Sequence, residues 1–518
     1  MLRSTVVFSA MTFLSRIAGY ARDALQAHLF GTSAAVSAFV VAYRIPNYLR
    51  RIFAEGSFSS AFVPVLSELK QKGDEQAMRD VLDHVAGALL AAVIVVTALG
   101  MLGAPWIARV FLLFADPGAG GLVELAADML RITFPYLVFI SMTALAGGVL
   151  NTFRHFGVPA LTPVLHNLAI IGAMLVLPRF LAIPEQALAW GVLAAGVLQM
   201  AVLWPTLGRL GIRPRFRFDL QHEGVRRVRK LMLPTIFSSS VAQVNLLVGT
   251  MFASMLVVEA QAWLYYSDRL TELPLGLFGV AVGTVILPQL SRQFAGKDEA
   301  GYARSLDWGL RVVVLVGMPA ALGLALLAVP LTAALFGRGE FTDDDTRMVG
   351  YALTAMSLGI PTFMLSKVLL PAFYARQDTK TPMRAALATV VTNVVLTIAF
   401  VTPLDYLGVR WAHVGIAAAT ALAGVVNAAL LWRYLRRDGI FKPQPGWTPW
   451  LARIGVGLAV MAATVILLER WVTARYGMWT AQPDALRWMW LLATIATGGG
   501  AYGATLLALG LRPRHLRQ

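Results

Sequence analysis

Cysteine is absent from all 518 residues, which excludes disulfides, a thiolate nucleophile and any cysteine-ligated metal. Charge is scarce too: Asp, Glu, Lys and Arg make up 14% of the chain, against about a quarter in an ordinary soluble domain. A soluble chain of this length would bury a large core and cover it with polar surface; with 58% hydrophobic residues that cover is missing. Acids are the rarer sign, 28 against 44 Lys and Arg, for a formal net charge of +16. There is no GxxxxGK[ST] loop, so no built-in ATPase is expected. No cleaved secretory leader is expected either, because Arg16 and Arg22 interrupt the stretch that would form its apolar centre. His28, His84, His155, His166 and His413 show no ligand spacing, so neither a metal site nor a cofactor is expected.

What the chain does have is long apolar segments. A helix needs roughly 20 apolar residues to cross the hydrocarbon. That ruler gives about fourteen spans: 5–29, 34–66, 80–110, 124–150, 158–180, 186–208, 229–257, 262–291, 305–335, 348–374, 382–402, 411–434, 449–470 and 486–511. The fold class is an all-α polytopic membrane protein. Cations cluster in alternate connections: Lys70, Lys72 and Arg79; Arg154; Arg213 to Lys230; Arg292, Lys297 and Arg304; Arg376 and Lys380; Arg433 to Lys442; and Arg512 to Arg517. The intervening connections hold isolated ones such as Arg109, Arg179 and Arg410. This bias places both termini in the cytoplasm. It also turns most of the +16 into topology: "RPRFRFDL" (213–220) reads as an anchoring tether, and nucleic acid is not an expected partner.

Features recur at an offset of 224–226 residues. "PVLSEL" (64–69) answers "PQLSRQ" (288–293), Pro105 answers Pro330, Phe111 answers Phe336, Pro135 answers Pro361, Asn167 answers Asn393, Arg44 answers Arg269 and Phe53 answers Phe278. The pattern predicts two six-helix halves, 1–225 and 226–450, followed by two further helices in 451–518. Six spans return the chain to its starting side, so the repeats are parallel, an arrangement that usually places the substrate path between halves.

Charges interrupt several spans. The first carries Arg16, Arg22 and Asp23; the second Arg44, Arg50, Arg51 and Glu55; the eighth Asp268, Arg269 and Glu272; the tenth Lys367. An arginine at mid-bilayer costs on the order of 2.5–3.5 kcal/mol on insertion scales and is therefore rarely idle. On a helix Arg16 and Asp23 share a face, with Arg22 beside it. Gly19 offers a bend in the first span and Pro46 a kink in the second. Arg44, Arg51 and Glu55 form a stripe, in which Arg51 and Glu55 suit an internal pair. Cations outnumber acids across both halves, which suits an anion, and the arginine fork suits phosphate. "FTDDDT" (341–346) reads as a helix cap rather than a metal loop. A membrane glycosyltransferase or phosphatase would need clustered acids or histidines at one face, and a transporter rather than an enzyme is expected.

The stretches "SRIAGYARD", "RIPNYLRRIFAEGSFSSAFVPVL", "YYSDRL", "GVAVGTVILPQLS", "FYARQDTKTP" and "QPGW" occur in order along nearly the whole chain. Together they resemble the MurJ (MviN) family of bacterial lipid II flippases, within the multidrug/oligosaccharidyl-lipid/polysaccharide exporter superfamily. The resemblance implies fourteen helices, two six-helix lobes forming a V, and two final helices shaping a groove for a lipid tail. It implies transport of undecaprenyl-pyrophosphoryl disaccharide-pentapeptide from the cytoplasmic to the periplasmic leaflet of the inner membrane. Substrate binding would fall to Arg16, Arg22, Arg50 and Arg269, with Glu55 and Asp268 at the family's acidic positions and Asp23 and Arg51 as further supporting charges. Lipid II, membrane lipids and peptidoglycan-synthesis proteins are the expected partners, and membrane potential or a monovalent cation the expected coupling. The family often has Asp where this chain has Ser37, so Arg22 must find Asp23, water or substrate instead. The alternative is another exporter of the superfamily, moving lipid-linked oligosaccharide or drugs; a cationic drug would call for surplus carboxylates, the reverse of what is present.

Overall fold

Four of the expected spans, 80–110, 124–150, 305–335 and 348–374, divide into two helices beside a proline or glycine. The computed structural model describes residues 2–50, 57–115, 120–276, 280–441 and 443–511. Its helices are α1 (Leu2–Phe30), α2 (Ala34–Arg50), α3 (Ser57–Gln71), α4 (Glu75–Leu102), α5 (Ala104–Phe111), α6 (Gly120–Thr133), α7 (Tyr136–Thr152), α8 (Gly157–Val176), α9 (Gln186–Arg209) and α10 (Glu223–Ala253). There follow α11 (Ala260–Pro274), α12 (Val280–Ala295), α13 (Glu299–Leu326), α14 (Ala328–Leu335), α15 (Asp343–Ser357), α16 (Ile360–Tyr374), α17 (Lys380–Tyr406), α18 (His413–Arg437), α19 (Trp447–Tyr476) and α20 (Asp484–Ala508). Each expected span coincides with one helix or a consecutive pair.

Proline lacks an N–H and clashes with the carbonyl four residues back, so it fits the first turn of a new helix. Pro105 sits in the first turn of α5 and Pro361 in that of α16, while Pro135 stands at the start of α7. The axes of α15 and α16 diverge by 43°. Among the described residues nine helices are long and apolar enough to cross a membrane, or ten with that bent pair taken as one. Helices α2, α3, α11 and α12 are 17, 15, 15 and 16 residues long, each too short to be counted as a span by itself.

The chain forms two compact units, Met1–Ala262 and Trp263–Gln518. The same helix order runs through both. Asp74 caps α4 by accepting from the Ala77 N–H, and Asp298, 224 positions later, caps α13 by accepting from Gly301 N–H. Arg154 and Gln377 each hold a positive φ in the turn before α8 and before α17. In the first unit α8 packs on α9, α4 on α7 and α5 on α6; in the second α17 packs on α18, α13 on α16 and α14 on α15. The repeat diverges at its first member. Helix α1 packs on α8, whereas α10 packs on α3, α4 and α5, so the compact division falls after α10 rather than before it. Gly224 explains how closely α10 approaches α4: a Cβ there would lie 2.8 Å from Val81.

The core of the second unit has two parts. Ile286, Leu306, Leu310, Val368 and Leu431 fill the space among α12, α13, α16 and α18. Leu327, Trp450, Ile454, Leu491 and Tyr502 join α19 and α20 to the end of α13 and to α14. Other apolar side chains point outward. Leu387, Val391, Val395 and Ile398 form one exposed stripe along α17, a face that only lipid or a partner would cover.

Candidate functional site

The arginines of α1 differ in their surroundings. Arg22 and Asp23 are 5% and 2% exposed. The Arg22 Nε and Nη2 donate to Asp23 Oδ1 at 3.0 and 2.6 Å, and Nη1 donates to Asn167 Oδ1 on α8 at 3.1 Å. Asn167 Nδ2 in turn donates to the Ser15 and Pro163 carbonyls at 3.0 and 3.1 Å. An ion pair inside an apolar body needs such satisfied hydrogen bonds to offset the loss of water. Ser37 takes no part: its hydroxyl is buried without a hydrogen-bond partner among the described residues. Asp23 and Asn167 hold Arg22 instead. Helix α1 runs unbroken through Gly19. Arg16, two turns before Asp23, is half-buried, beside the exposed Phe13 and Ile17.

On α2, Pro46 lies within a continuous helix. Arg50, its last residue, is half-buried and donates through Nε and Nη2 to Asn47 Oδ1 at 3.0 and 2.9 Å. Arg51 and Glu55 lie outside the described residues. One of the Arg44 guanidinium nitrogens donates to Thr250 Oγ1 on α10 and, at 3.4 Å, to Gln261 Oε1.

The motif "YYSDRL" is divided between anchoring and presentation. Ser267 Oγ donates to the Val349 carbonyl at 3.0 Å, and the Trp263 indole N–H donates to Asp345 Oδ1 at 2.8 Å, fixing α11 on α15. Tyr266 packs against Phe336 and Phe341. Asp268 and Arg269 remain half-buried. The Arg269 Nη1 donates to Glu272 Oε2 at 3.2 Å, and its guanidinium lies 5.3 Å from the centre of the Tyr265 ring. Lys367 on α16 is exposed.

"FTDDDT" forms the cap expected of it. The Thr342 hydroxyl accepts from Asp345 N–H while Asp345 Oδ2 accepts from Thr342 N–H, a reciprocal capping box at the start of α15.

Two buried charges were not anticipated from sequence. Asp307 on α13 accepts from Arg311 Nε at 2.7 Å, from the Gln444 N–H at 3.2 Å and from the Trp447 indole N–H at 2.7 Å. The Arg311 guanidinium lies 5.0 Å from the Trp447 ring centre. This gives "QPGW" a structural reason: it hooks the start of α19 onto α13. The available signal was Asp307 and Arg311 at i, i+4 inside an apolar span. Arg487 on α20, 4% exposed, donates to the carbonyls of Ala333, Gly337, Thr480 and Gln482 at 2.7–3.0 Å; its sequence neighbours give no sign of these remote carbonyls.

Arginines held within apolar helices, on a helix order repeated in two units, define a multi-pass membrane transporter rather than an enzyme. The inward-facing conformation of a multidrug resistance MATE family transporter of the MOP superfamily shares the fold, with a TM-score of 0.66 over 84% of this chain and 98% of that one at 15% identity. The chain belongs to the lipid II flippase MurJ family, whose family model matches residues 26–483. A probable lipid II flippase MurJ of Vibrio cholerae serotype O1 is 41% identical, covering 100% of this chain and 98% of its own. The lipid II flippase MurJ of Burkholderia cenocepacia is 39% identical, covering 100% and 99%. A solved lipid II flippase MurJ in an inward closed conformation superposes with a TM-score of 0.78 at 27% identity, over 96% of this chain and 98% of that one.

Proposed function

We propose that this chain flips lipid II, undecaprenyl-pyrophosphoryl disaccharide-pentapeptide, from the cytoplasmic to the periplasmic leaflet of the inner membrane by alternating access. Similarity to lipid II flippases along the entire chain, 41% and 39% identical to two of them, carries this reading. The drug-exporter alternative rests on fold alone, and its cationic substrates fit poorly with helices in which arginine outnumbers acid. Chemistry adds a reason for the anion. Arg16, Arg50 and Arg269 are half-buried on α1, α2 and α11, and a forked guanidinium suits a pyrophosphate.

These three groups, with Arg22, are assigned to the headgroup. Arg22 contributes through position: its contacts with Asp23 and Asn167 hold α1 against α8 and so fix where Arg16 stands. Asp268 sits beside Arg269 and tempers its charge. The prenyl tail stays in lipid against the outer faces of α19 and α20, where Val456, Leu467, Leu492 and Ile495 are exposed. Membrane potential or a monovalent cation resets the empty carrier, both termini face the cytoplasm, and peptidoglycan-synthesis proteins receive the product. Charge in the connections supports that orientation.

Depletion of the resident flippase in a bacterium, complementation with this chain, and measurement of lipid II accessibility at the outer face test the proposal. The wild-type chain restores growth and outward accessibility. Failure in several compatible hosts despite normal membrane insertion would overturn the function. Full rescue by Arg16→Ala or Arg269→Ala at wild-type abundance would overturn the residue assignment alone.

A further inference from the structure

We infer that Asp80, His84 and His222 form a site for a divalent transition-metal ion of the zinc class, which staples the connector between α9 and α10 to the start of α4. The three residues are half-buried, and one ligand atom from each lies within 4.8 Å of the others. Asp80 and His84 are four apart on α4 and therefore share a face. His222, 142 positions from Asp80, stands at the N-cap of α10, where its Nε2 lies 2.9 Å from Asp80 Oδ2. The two imidazoles stack in parallel, their centres 4.1 Å apart and their planes within 5°; lone pairs lie in the ring plane, so the His84 ring leaves the stack when the ion enters. Separation in sequence hid this set; the only local sign was an Asp and a His at i, i+4.

The second layer of contacts fits a ligand role. His84 Nδ1 lies 2.8 Å from the Asp80 main-chain carbonyl. The same nitrogen lies 3.4 Å from Asp80 Oδ1, so Nδ1 faces the carboxylate in the metal-free state; turning the ring about its side-chain bonds brings Nε2, whose lone pair the Nδ1–H tautomer leaves available, to the ion. Arg217 Nη1, 3.6 Å from Asp80 Oδ1, orients the carboxylate from the other side. The frame is rigid without an ion. The Arg215 N–H donates to Asp83 Oδ1 at 2.7 Å and the Arg217 N–H to the Asp83 carbonyl at 3.2 Å. A Cβ on Gly87 would fall 2.1 Å from the Arg217 carbonyl oxygen, so the connector lies directly on the α4 backbone. Ligands borne on fixed elements lose little entropy when they bind.

Chemistry selects the ion. Two imidazoles and one carboxylate suit zinc and its neighbours, whereas calcium and magnesium want oxygen shells. Asp80 also lines a cavity of about 840 Å³ shared with Arg79, Arg213, Arg215 and Arg217, which gives solvent access while keeping the carboxylate charge partly neutralised. Loading has a defined proton balance. His222 Nδ1 now accepts from the Gly224 N–H at 3.2 Å, so Nε2 carries the ring proton; coordination at Nε2 moves that proton to Nδ1, and the Gly224 contact is given up. Occupancy is thereby tied to the first turn of α10.

The test is isothermal titration of zinc chloride into the full chain, purified in detergent without a polyhistidine tag, with cobalt absorption as a second readout of coordination. One ion binds per chain, and Asp80→Asn, His84→Ala and His222→Ala each weaken binding at least ~10-fold, the size of effect that even outer-shell changes produce. His155→Ala, an exposed histidine of another turn, leaves it unchanged. His84→Gln, which keeps the side-chain size, serves where the alanine variant unfolds at lower temperature in the metal-free state. Absence of stoichiometric binding, or binding that survives both His84→Gln and His222→Ala, overturns the site. Neither result bears on lipid II flipping.

Discussion

Arg22 on α1 and Asn167 on α8 meet through a 3.1 Å hydrogen bond across 145 positions of sequence. Asn167 returns a bond to the Ser15 carbonyl on α1, so the contact closes a loop between the two helices. Removing Asp23 deprives the buried guanidinium of the carboxylate that accepts from its Nε and Nη2. Asp23→Ala is therefore expected to destabilise the chain by about 3–5 kcal/mol and Asn167→Ala by about 1–3 kcal/mol. Unfolding in detergent measures both. Equal, small effects would mean that water replaces Asp23 and that Arg22 is open to substrate.

Arg269 pairs with Glu272 one turn along α11. Glu272 is well exposed, and such pairs contribute about 0–1 kcal/mol. Arg269→Ala should unfold near the wild-type temperature yet fail to restore outward lipid II accessibility. Arg269→Lys should rescue only in part, since an ammonium lacks the planar fork, and Glu272→Gln should rescue fully. A Glu272→Gln defect as severe as Arg269→Ala would shift the role from the arginine to the pair.

Asp345 joins two tasks, closing the α15 capping box and accepting the buried Trp263 indole N–H. Asp345→Ala loses the cap and orphans the indole, an expected cost of about 2 kcal/mol or more. Asp345→Asn keeps an acceptor and should fall between it and wild type. Matching unfolding temperatures for the two variants would show that the cap alone matters.

Asp378 lies in the turn between α16 and α17, where its Oδ1 accepts from the Lys380 and Thr381 N–H groups at 3.0 Å each. Burial pulls this carboxyl upward, but the bonds from Thr381 and Lys380 and the nearby Arg376 outweigh it and hold it below its ordinary value of 3.8. A depressed folded value stabilises the protein above the unfolded value and loses that effect as pH falls through the folded one. The gap in unfolding temperature between wild type and Asp378→Ala should be full at neutral pH and close below about pH 4. A gap that persists unchanged in stronger acid would assign the effect to packing.

Helix existence and the repeat were legible from residues alone because apolar runs of bilayer length and recurring prolines are local signals. The capping role of "FTDDDT" was legible for the same reason: Thr342 and Asp345 are three apart and need nothing else. The site was legible only as a set of misplaced charges. Asp23 could be read as a candidate partner of Arg22, but Asn167 could not, since it lies on another helix and Asn is an ordinary residue there. The purpose of "QPGW" was hidden because Asp307 lies 140 positions from Trp447.

Composition, hydropathy and charge distribution determined a polytopic helical membrane protein. Those properties follow from transfer free energies summed over short windows, which the chain carries wherever it folds. Tertiary structure alone decided which arginine is clasped and which is presented. It placed Arg22 between Asp23 and Asn167, drew α10 onto α4, and set His222 against Asp80 and His84. A buried charge persists only where distant groups satisfy it, and distance along the chain says nothing about which groups those are.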